Sequence, residues 1–134
     1  MYNKIIVGLA LDHGISQTAL DVARALRAEG GEIIAVHVYE PPNSSVRAYL
    51  DEELVEGAQK TARERLAEKV SGEPDVKAEM LMGHSGRAIT DYAAKVGADC
   101  IVVGSHKPEL ADFLLGSTAA RVVRHAPCAV HVLR

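Results

Sequence analysis

Several features that would assign the chain to another class of protein are scarce or missing. The 134 residues contain two cysteines, Cys100 and Cys128, both within apolar runs, so we expect reduced thiols and a cytoplasmic location. No apolar stretch approaches the roughly 20 residues that a membrane-spanning helix needs, so we expect no membrane partner. Residues 1–10 contain no basic leader and no small-residue cleavage site, so we expect no signal peptide.

Charge and motif content exclude further classes. The formal net charge is only −3 and the two signs are interspersed, which argues against nucleic acid as a partner. The sequence has no G-x-G-x-x-G and no G-x4-G-K-(S/T), so dinucleotide-dependent dehydrogenases and P-loop NTPases lose their main support. The ligase and nucleotidyl-transferase signatures S-G-G-x-D-S and H-x-G-H are absent too. The six histidines show no H-x3-H spacing and there is no cysteine pair, so we expect no metal site.

What is present fits one α/β domain over residues 1–134. Apolar residues make up 48% of the chain and charged residues 25%, as in an ordinary globular domain. Five apolar runs alternate with four segments of helical period, which predicts βαβ units around an open, mainly parallel sheet. The strands are expected at residues 4–9, 33–39, 76–82, 100–103 and 128–133. The strand at 76–82 has polar residues on part of one face, which is typical of a sheet edge.

Each helical segment has its own start and stop signals. The first helix is expected from about Ser16 to the glycines at 30 and 31. In the second, apolar residues recur every four positions from Val46 to Val70, so one continuous helix with one buried face is predicted, with Gly57 inside it. The third is expected from an N-cap at Ser85 to Gly97 and the fourth from Gly116 and Ser117 to the residue before Pro127.

The candidate site follows from the class of sheet. In open parallel sheets, ligands bind beyond the carboxyl ends of the strands where the strand order reverses, so the loops at 10–14 and 104–118 are the candidate ligand-binding segments. Gly116, Ser117 and Thr118 open a helix, where free N–H groups and the positive end of the helix dipole favour a phosphate. The same residues also suit a plain N-cap, and local sequence leaves both interpretations open.

Three segments together resemble the universal stress protein family. They are Ile5-Ile6-Val7-Gly8, the pair His37-Val38, and a C-terminal stretch with Gly104-Ser105-His106, Gly116-Ser117-Thr118-Ala119-Ala120 and Val122-Val123-Arg124-His125-Ala126. The C-terminal stretch is especially similar to the small single-domain bacterial members of types F and G. The resemblance implies an adenine nucleotide alpha hydrolase-like, Rossmann-like fold with strand order 3-2-1-4-5, helices on both faces, and ATP between the first and fourth strands.

The resemblance also implies roles for single residues. The family's nucleotide-binding branch carries G-x2-G-x9-G-(S/T), which transfers phosphate contacts to Gly104, Gly116, Ser117 and Thr118. Lys107 replaces the second glycine, with eight residues between it and Gly116, and could pair with phosphates, while His106 lies in the same loop and could contact the ligand.

Four further residues are expected near the sugar and the base of the nucleotide. Where the family usually has an aspartate this chain has Ala10, and its carboxylate comes two residues later at Asp12. Asp12 could reach a ribose, an adenine or Mg²⁺, or it could simply form an Asp-His-Gly turn. Val38 and Tyr39 are expected to flank the adenine, with backbone groups reading its edge, although Val38 also suits a plain core position.

The expected function is therefore binding of ATP, ADP or AMP by a stress-response or signalling module that is not an enzyme. Two alternatives stay open, namely a family member with a degenerate site that acts only through protein contacts, and a slow ATPase. The last strand begins at Cys128, ends at Leu133 and carries no charge between them. An uncovered apolar edge of this kind invites pairing with another chain, so a homodimer through this strand is expected.

Overall fold

The computed structural model describes residues 1–9, 17–105 and 115–134. In these residues the elements are β1 Tyr2–Gly8, α1 Gln17–Leu26, β2 Arg27–Tyr39, α2 Ser44–Arg47, α3 Glu52–Val70, β3 Val76–Met82, α4 Ser85–Val96, β4 Cys100–Gly104, α5 Ser117–His125 and β5 Ala129–Leu133. The strands form one sheet in the order β3-β2-β1-β4-β5, and every neighbouring pair is parallel. The predicted α/β class and strand order are confirmed, and β3 is an edge strand as expected.

Two apolar clusters hold helices on both faces of the sheet. On one face, Ile5, Val7 and Ile33 pack with buried residues of α1 and α3 such as Leu20 and Leu66. On the other face, alternate residues of the same strands pack against α4 and α5; they include Ile6, Ile34 and Ile101. The central strand β1 is completely buried at positions 5–7, because helices cover both of its faces.

The end of the first helix differs from the prediction. The helix α1 ends at Leu26, and β2 begins at the next residue, so the two glycines lie inside the strand and do not cap the helix. Gly30 does have a positive φ of 76°, which favours glycine. The pairing of β1 with β2 jumps from Tyr2↔Arg27 to Lys4↔Glu32, so the glycines form a bulge that absorbs the extra residues.

The prediction of one long helix from Val46 to Val70 is also wrong. Residues 48–51 separate α2 from α3, because Asn43 and Asp51 each cap a helix start with the side chain. A four-residue spacing also drifts by about 40° per step around a helix of 100° per residue, so such a stripe cannot stay on one face. The buried positions of α3 are Val55, Ala62 and Leu66, whereas Leu54 is 65% exposed.

The starts of α4 and β5 differ from the predictions by one residue each, whereas the predicted end of α4 is confirmed. The N-cap of α4 is His84 and not Ser85, and the carboxylate of Glu40 accepts hydrogen bonds from both the N–H (3.1 Å) and the hydroxyl (3.0 Å) of Ser85. Gly97 ends α4 in the left-handed conformation, as predicted. The last strand starts at Ala129, one residue after Cys128.

A cluster of ion pairs joins α1 and the start of β2 to the segment before β3, at the amino-terminal ends of the strands. Arg24 of α1 contacts the carboxylates of Asp75 (2.8 Å) and Glu73, and Arg27 contacts Asp75 at 3.1 Å. The hydrogen bonds from Arg24 hold the pKa of Asp75 well below its usual value. These charges lie before β3 and at the start of β2, at the end of the sheet opposite to the strands' carboxyl ends.

Acidic pH is expected to weaken the stabilisation that these ion pairs provide. A carboxyl whose pKa is lowered by folding stabilises the fold above its unfolded pKa of about 4, and that stabilisation is lost as the pH falls below this value. Asp75→Asn is therefore expected to lower the melting temperature at pH 7 and to reduce its fall between about pH 5 and pH 2. The matched control is Asp91→Asn, because the Asp91 side chain is 72% exposed and its ion pair with Arg87 is long, at 3.7 Å, so it contributes little to stability. Equal acid profiles for the wild type and Asp75→Asn would contradict the assigned role.

Candidate nucleotide site at the carboxyl edge

The strand order reverses between β1 and β4, and the crevice beyond their carboxyl ends is the candidate site. β1 ends at Gly8 and β4 at Gly104. A side chain at Gly8 would come within 3.3 Å of Val103 and 3.4 Å of Ile89, whereas a Cβ at Gly104 would meet none of the described residues within 4 Å. As far as the described residues show, the exit of β4 therefore leaves room for a ligand next to the backbone.

The hydrogen bonds at the end of β2 distinguish Val38 from Tyr39. The N–H of Leu9 donates to the carbonyl of Val36 (2.8 Å), and the N–H of Gly83 donates to the carbonyl of Tyr39 (3.1 Å). Backbone groups alternate in direction along a strand, so the carbonyl of Tyr39 points towards β3 while the N–H and carbonyl of Val38 point towards the β1 side. The pairing of β2 with β1 ends at Gly8↔Val36. Among the residues that the structure describes, Val38 thus presents one donor and one acceptor beyond the end of that pairing.

The side chain of Val38 has a second role. It is buried (9% exposed) in the cluster that contacts α4 and α5, as a core residue would be. The core interpretation and the base-reading interpretation therefore do not compete, because one uses the side chain and the other the backbone. Gly83 has a φ of 121°, which favours glycine, so the bond that engages Tyr39 depends on this turn.

The start of α5 is brought next to the end of β4. Ser105 is buried, its N–H donates to the carbonyl of Leu133 (2.6 Å), and its carbonyl accepts from the N–H of Gly116 (2.6 Å). Gly116 is the N-cap of α5 and offers no side-chain capping bond. Ser117 is the first helical residue and is exposed, so the alternative in which the Ser117 side chain is the N-cap is wrong. The first N–H groups of a helix have no partner within the helix, and the N-cap glycine has no side chain that could accept from them.

The predicted site residues thus fall into three groups. The structure brings Gly104 together with Gly116, Ser117 and Thr118 through Ser105, and it places Val38 and Tyr39 at the end of β2. The remaining four predicted residues, Ala10, Asp12, His106 and Lys107, lie outside the described residues. Among the described residues, no group of three or more His, Cys, Asp or Glu side chains is placed to hold a metal ion.

Two contacts at this edge were not assigned a site role from the sequence. His37 is half-buried, and its Nδ1 lies 3.2 Å from the carbonyl oxygen of Leu9, so Nδ1 carries the proton in that contact and the ring ties β2 to the end of β1. The Glu40–Ser85 contact described above holds the start of α4 beside the end of β2. The serine pattern at the helix start was a signal for the second contact, but its partner lies 45 residues away in sequence.

The two cysteines have the environment of structural thiols. Burial raises the pKa of the Cys100 thiol to about 11, and burial also raises the pKa of Cys128. Cys100 packs in the cluster beneath α1 and α3, whereas Cys128 packs on the opposite face of the sheet. Thiols with raised pKa values are poor nucleophiles, so we regard both cysteines as packing residues.

Comparisons with known proteins identify the family. The model of the universal stress protein family matches residues 1–134, and the chain belongs to this family. A Thermus aquaticus protein described as "Universal stress protein in QAH/OAS sulfhydrylase 3'region" is 37% identical, with 92% of this chain and 91% of that protein covered. Universal stress protein G of Shigella flexneri is 32% identical over the full length of both chains.

Solved structures agree with this assignment. The universal stress protein UspA from Lactobacillus plantarum superposes with a TM-score of 0.71 at 26% identity, covering 99% of this chain and 98% of that one. The same fold occurs in a universal stress protein from Archaeoglobus fulgidus in complex with dAMP (TM-score 0.61, 21% identity, 99% and 98% covered). No helix in the described parts of the chain has the length and apolarity to cross a membrane.

Proposed function

We propose that the chain is a stress-response or signalling module of the cytoplasm that binds an adenine nucleotide, with ATP as the principal ligand, in the crevice between β1 and β4. The observation that carries the proposal is the N–H and carbonyl of Val38, which extend past the end of β1. Adenine presents an acceptor (N1) next to a donor (the N6 amino group), and a backbone donor and acceptor on one residue complement that edge.

The start of α5 fits the other end of such a ligand. No described residue lies within 4 Å of the position that a Cβ at Gly104 would take, and the N–H groups that follow Gly116 offer donors at the positive end of a helix dipole. We assign the phosphates to this end, with the hydroxyls of Ser117 and Thr118 as further donors. Lys107 and His106 are proposed as additional phosphate contacts and Asp12 as a contact to the ribose or to Mg²⁺, with Ala10 beside it. The dAMP complex of the Archaeoglobus fulgidus relative supports an adenine nucleotide in this fold.

The competing function is a family member that has lost its ligand and acts through protein contacts alone. Mass spectrometry of the protein, denatured directly after purification, separates the two. We expect an adenine nucleotide at up to about one per chain, or full loading after incubation with ATP and removal of the excess. Absence of nucleotide under both conditions would favour the contact-only alternative. A guanine nucleotide as the resident ligand would contradict the role of Val38.

Hydrolysis is expected to be slow, because binding and not turnover is the proposed function. Asp12 is the one carboxylate that the family resemblance assigns to the proposed site, and among the described residues no group of three or more His, Cys, Asp or Glu side chains is placed to hold Mg²⁺. The steady-state rate of phosphate release should lie well below the roughly 10 s⁻¹ median of dedicated enzymes. A rate above about 1 s⁻¹ that is lost in Asp12→Asn would promote the ATPase alternative.

We also propose that the active form is a homodimer in which β5 pairs antiparallel with β5 of a second chain. In the described residues β5 is the last strand of the sheet, and its Val130, Val132 and Leu133 are only partly buried. A strand edge of this kind is a template for pairing with another chain, and a two-fold axis would place the same residues on both sides.

A further inference from the structure

Gly57 lies in the middle of α3, where the local backbone does not require a glycine. Gly57 has a helical backbone, and a Cβ built on it would meet no atom of the described residues within 4 Å. Neither a left-handed φ nor close packing therefore explains the residue, although glycine weakens a helix interior relative to alanine. What Gly57 does is line a groove, which an added side chain would narrow.

The groove runs along α3 on the side of the helix that faces the end of β2. It has a volume of about 550 Å³, with the ring of His37 at β2 and the small side chains of Ala58, Thr61 and Ala62 along the helix. Its ends on α3 are marked by Glu53 and Arg65. Twelve residues of α-helix at 1.5 Å per residue span roughly 18 Å. The groove is thus about three helical turns long, and its small side chains allow a second helix to approach closely.

Four exposed apolar side chains lie close together in sequence at and before the start of α3, and we call them the patch. The patch consists of Val46 (48% exposed), Tyr49 (92%), Leu50 (38%) and Leu54 (65%), and Leu54 also lines the groove. These four are half of the exposed large hydrophobic residues in the described part of the chain, yet they fall within nine positions of sequence. Such a concentration marks an interaction surface more often than scattered apolar residues do.

The charges beside the patch indicate what kind of partner fits. Glu52, Glu53 and Glu56 are exposed on the first two turns of α3, and the nearby Arg47 contacts Glu52 at 3.8 Å. Beside the patch, three acidic side chains against one basic side chain leave the rim negative, whereas the other end of the groove carries Arg65. A partner whose basic residues flank an apolar stripe complements the negative rim, which would repel an acidic partner or an anionic membrane.

We propose that the α3 groove and the adjoining patch dock a basic amphipathic helix of a partner protein. The apolar side chains of that helix would lie on Leu50, Leu54 and the small residues from Gly57 onward, and its basic side chains would face Glu53 and Glu56. This surface lies on α3 over β2 and β3, away from β5, and only its His37 end adjoins the end of β1. The proposal is therefore independent of the dimer through β5, and the α3 residues that it uses are not among those proposed to bind the nucleotide.

The test is the binding of a defined peptide to the full chain. The probe is a fluorescein-labelled helix of about fifteen residues with leucines on one face and lysines elsewhere, and its counterpart carries glutamate in place of lysine. By anisotropy, we expect the lysine peptide to bind the wild type with a micromolar Kd that weakens as salt is added, and the glutamate peptide to bind at least about tenfold more weakly.

Two variants at Gly57 separate the groove from the fold. Gly57→Ala adds only a Cβ in open space and should raise the melting temperature by a few degrees while leaving peptide binding in place. Gly57→Leu is also a good helix former, but its side chain fills the groove, so it should weaken peptide binding at least about tenfold with nucleotide binding unchanged. Leu54→Ser should weaken the peptide as well, whereas Val123→Ser, at an exposed apolar residue of α5, should not.

Other outcomes would overturn the proposal. Unchanged peptide binding in Gly57→Leu would show that the peptide contacts another surface. Equal binding of the lysine and glutamate peptides would contradict the preference for a basic partner. A wild-type dimer that dissociates in Gly57→Leu or Leu54→Ser would show that a second copy of this chain occupies the groove. No binding of the lysine peptide at about 100 μM would show that the groove does not accept a helix of this kind.

Discussion

Ser117→Asp is expected to reduce the affinity for ATP by at least about a hundredfold, equivalent to some 2.7 kcal/mol, while the free protein stays as stable as the wild type or becomes more stable. Ser117 is the first residue of α5 and is exposed, so an aspartate there adds a negative charge at the positive end of the helix dipole, which stabilises by about 0.3 to 1 kcal/mol. If a phosphate lies over the same N–H groups, the new carboxylate repels it across a partly desolvated gap.

The two effects have opposite signs, which is why this substitution is informative. The melting temperature without nucleotide and the Kd for ATP are measured for the wild type, Ser117→Asp and the control Ser117→Ala. The alanine variant removes one hydroxyl donor and should weaken ATP far less than the aspartate does. An unchanged Kd in Ser117→Asp would move the phosphates away from α5 and leave Gly116 and Ser117 as an ordinary helix start.

Val130→Pro is expected to convert a homodimer into a monomer. The carbonyl of Leu133 accepts from Ser105, so the backbone groups of Leu133 and, by alternation, of His131 face β4. The N–H of Val130 therefore points to the open edge of the sheet. Proline removes this N–H without breaking the pairing of β5 with β4, and edge strands tolerate proline at such positions. The intermolecular ladder loses a hydrogen bond and the ring obstructs the approaching strand.

Light scattering at tens of micromolar measures the result. The wild type should show the mass of two chains and Val130→Pro the mass of one, with a melting temperature that indicates a folded monomer. Val130→Thr is the matched control, because it keeps the N–H and nearly the same shape and should stay dimeric. A monomeric wild type, or a dimeric Val130→Pro, would contradict pairing through β5.

Sequence pattern was enough for the sheet but not for every helix boundary. The edge strand Val76–Met82 and the stop at Gly97 follow directly from alternation and from a left-handed cap. The first helix end was missed because a bulge in β2 and a helix cap both use adjacent glycines. The long helix was missed because the apolar repeat runs through Asp51, where a side-chain cap starts α3 anew.

The candidate site was predictable to a similar degree. Glycine and hydroxyl residues in sequence located the start of α5, but the pairing of Ser105 with both Leu133 and Gly116 is needed to bring that start beside Gly104. The difference between Val38 and Tyr39 depends on the direction of hydrogen bonds between strands, which adjacent residues in a sequence do not reveal. The α3 groove was not anticipated, since the sequence pattern places Gly57 inside a helix and does not show what that face of the helix adjoins.

Calorimetric titration of the nucleotide-free protein with ATP and, in parallel, with ITP tests the central claim most directly. Inosine carries an N–H at N1 and a carbonyl at C6, so its donor and acceptor are reversed relative to adenine while the ribose and triphosphate are identical. If the backbone of Val38 reads the base, ATP should bind with about one site per chain and ITP at least about tenfold more weakly. Equal affinities for ATP and ITP, or no heat of binding from either, would contradict an adenine site at the end of β2.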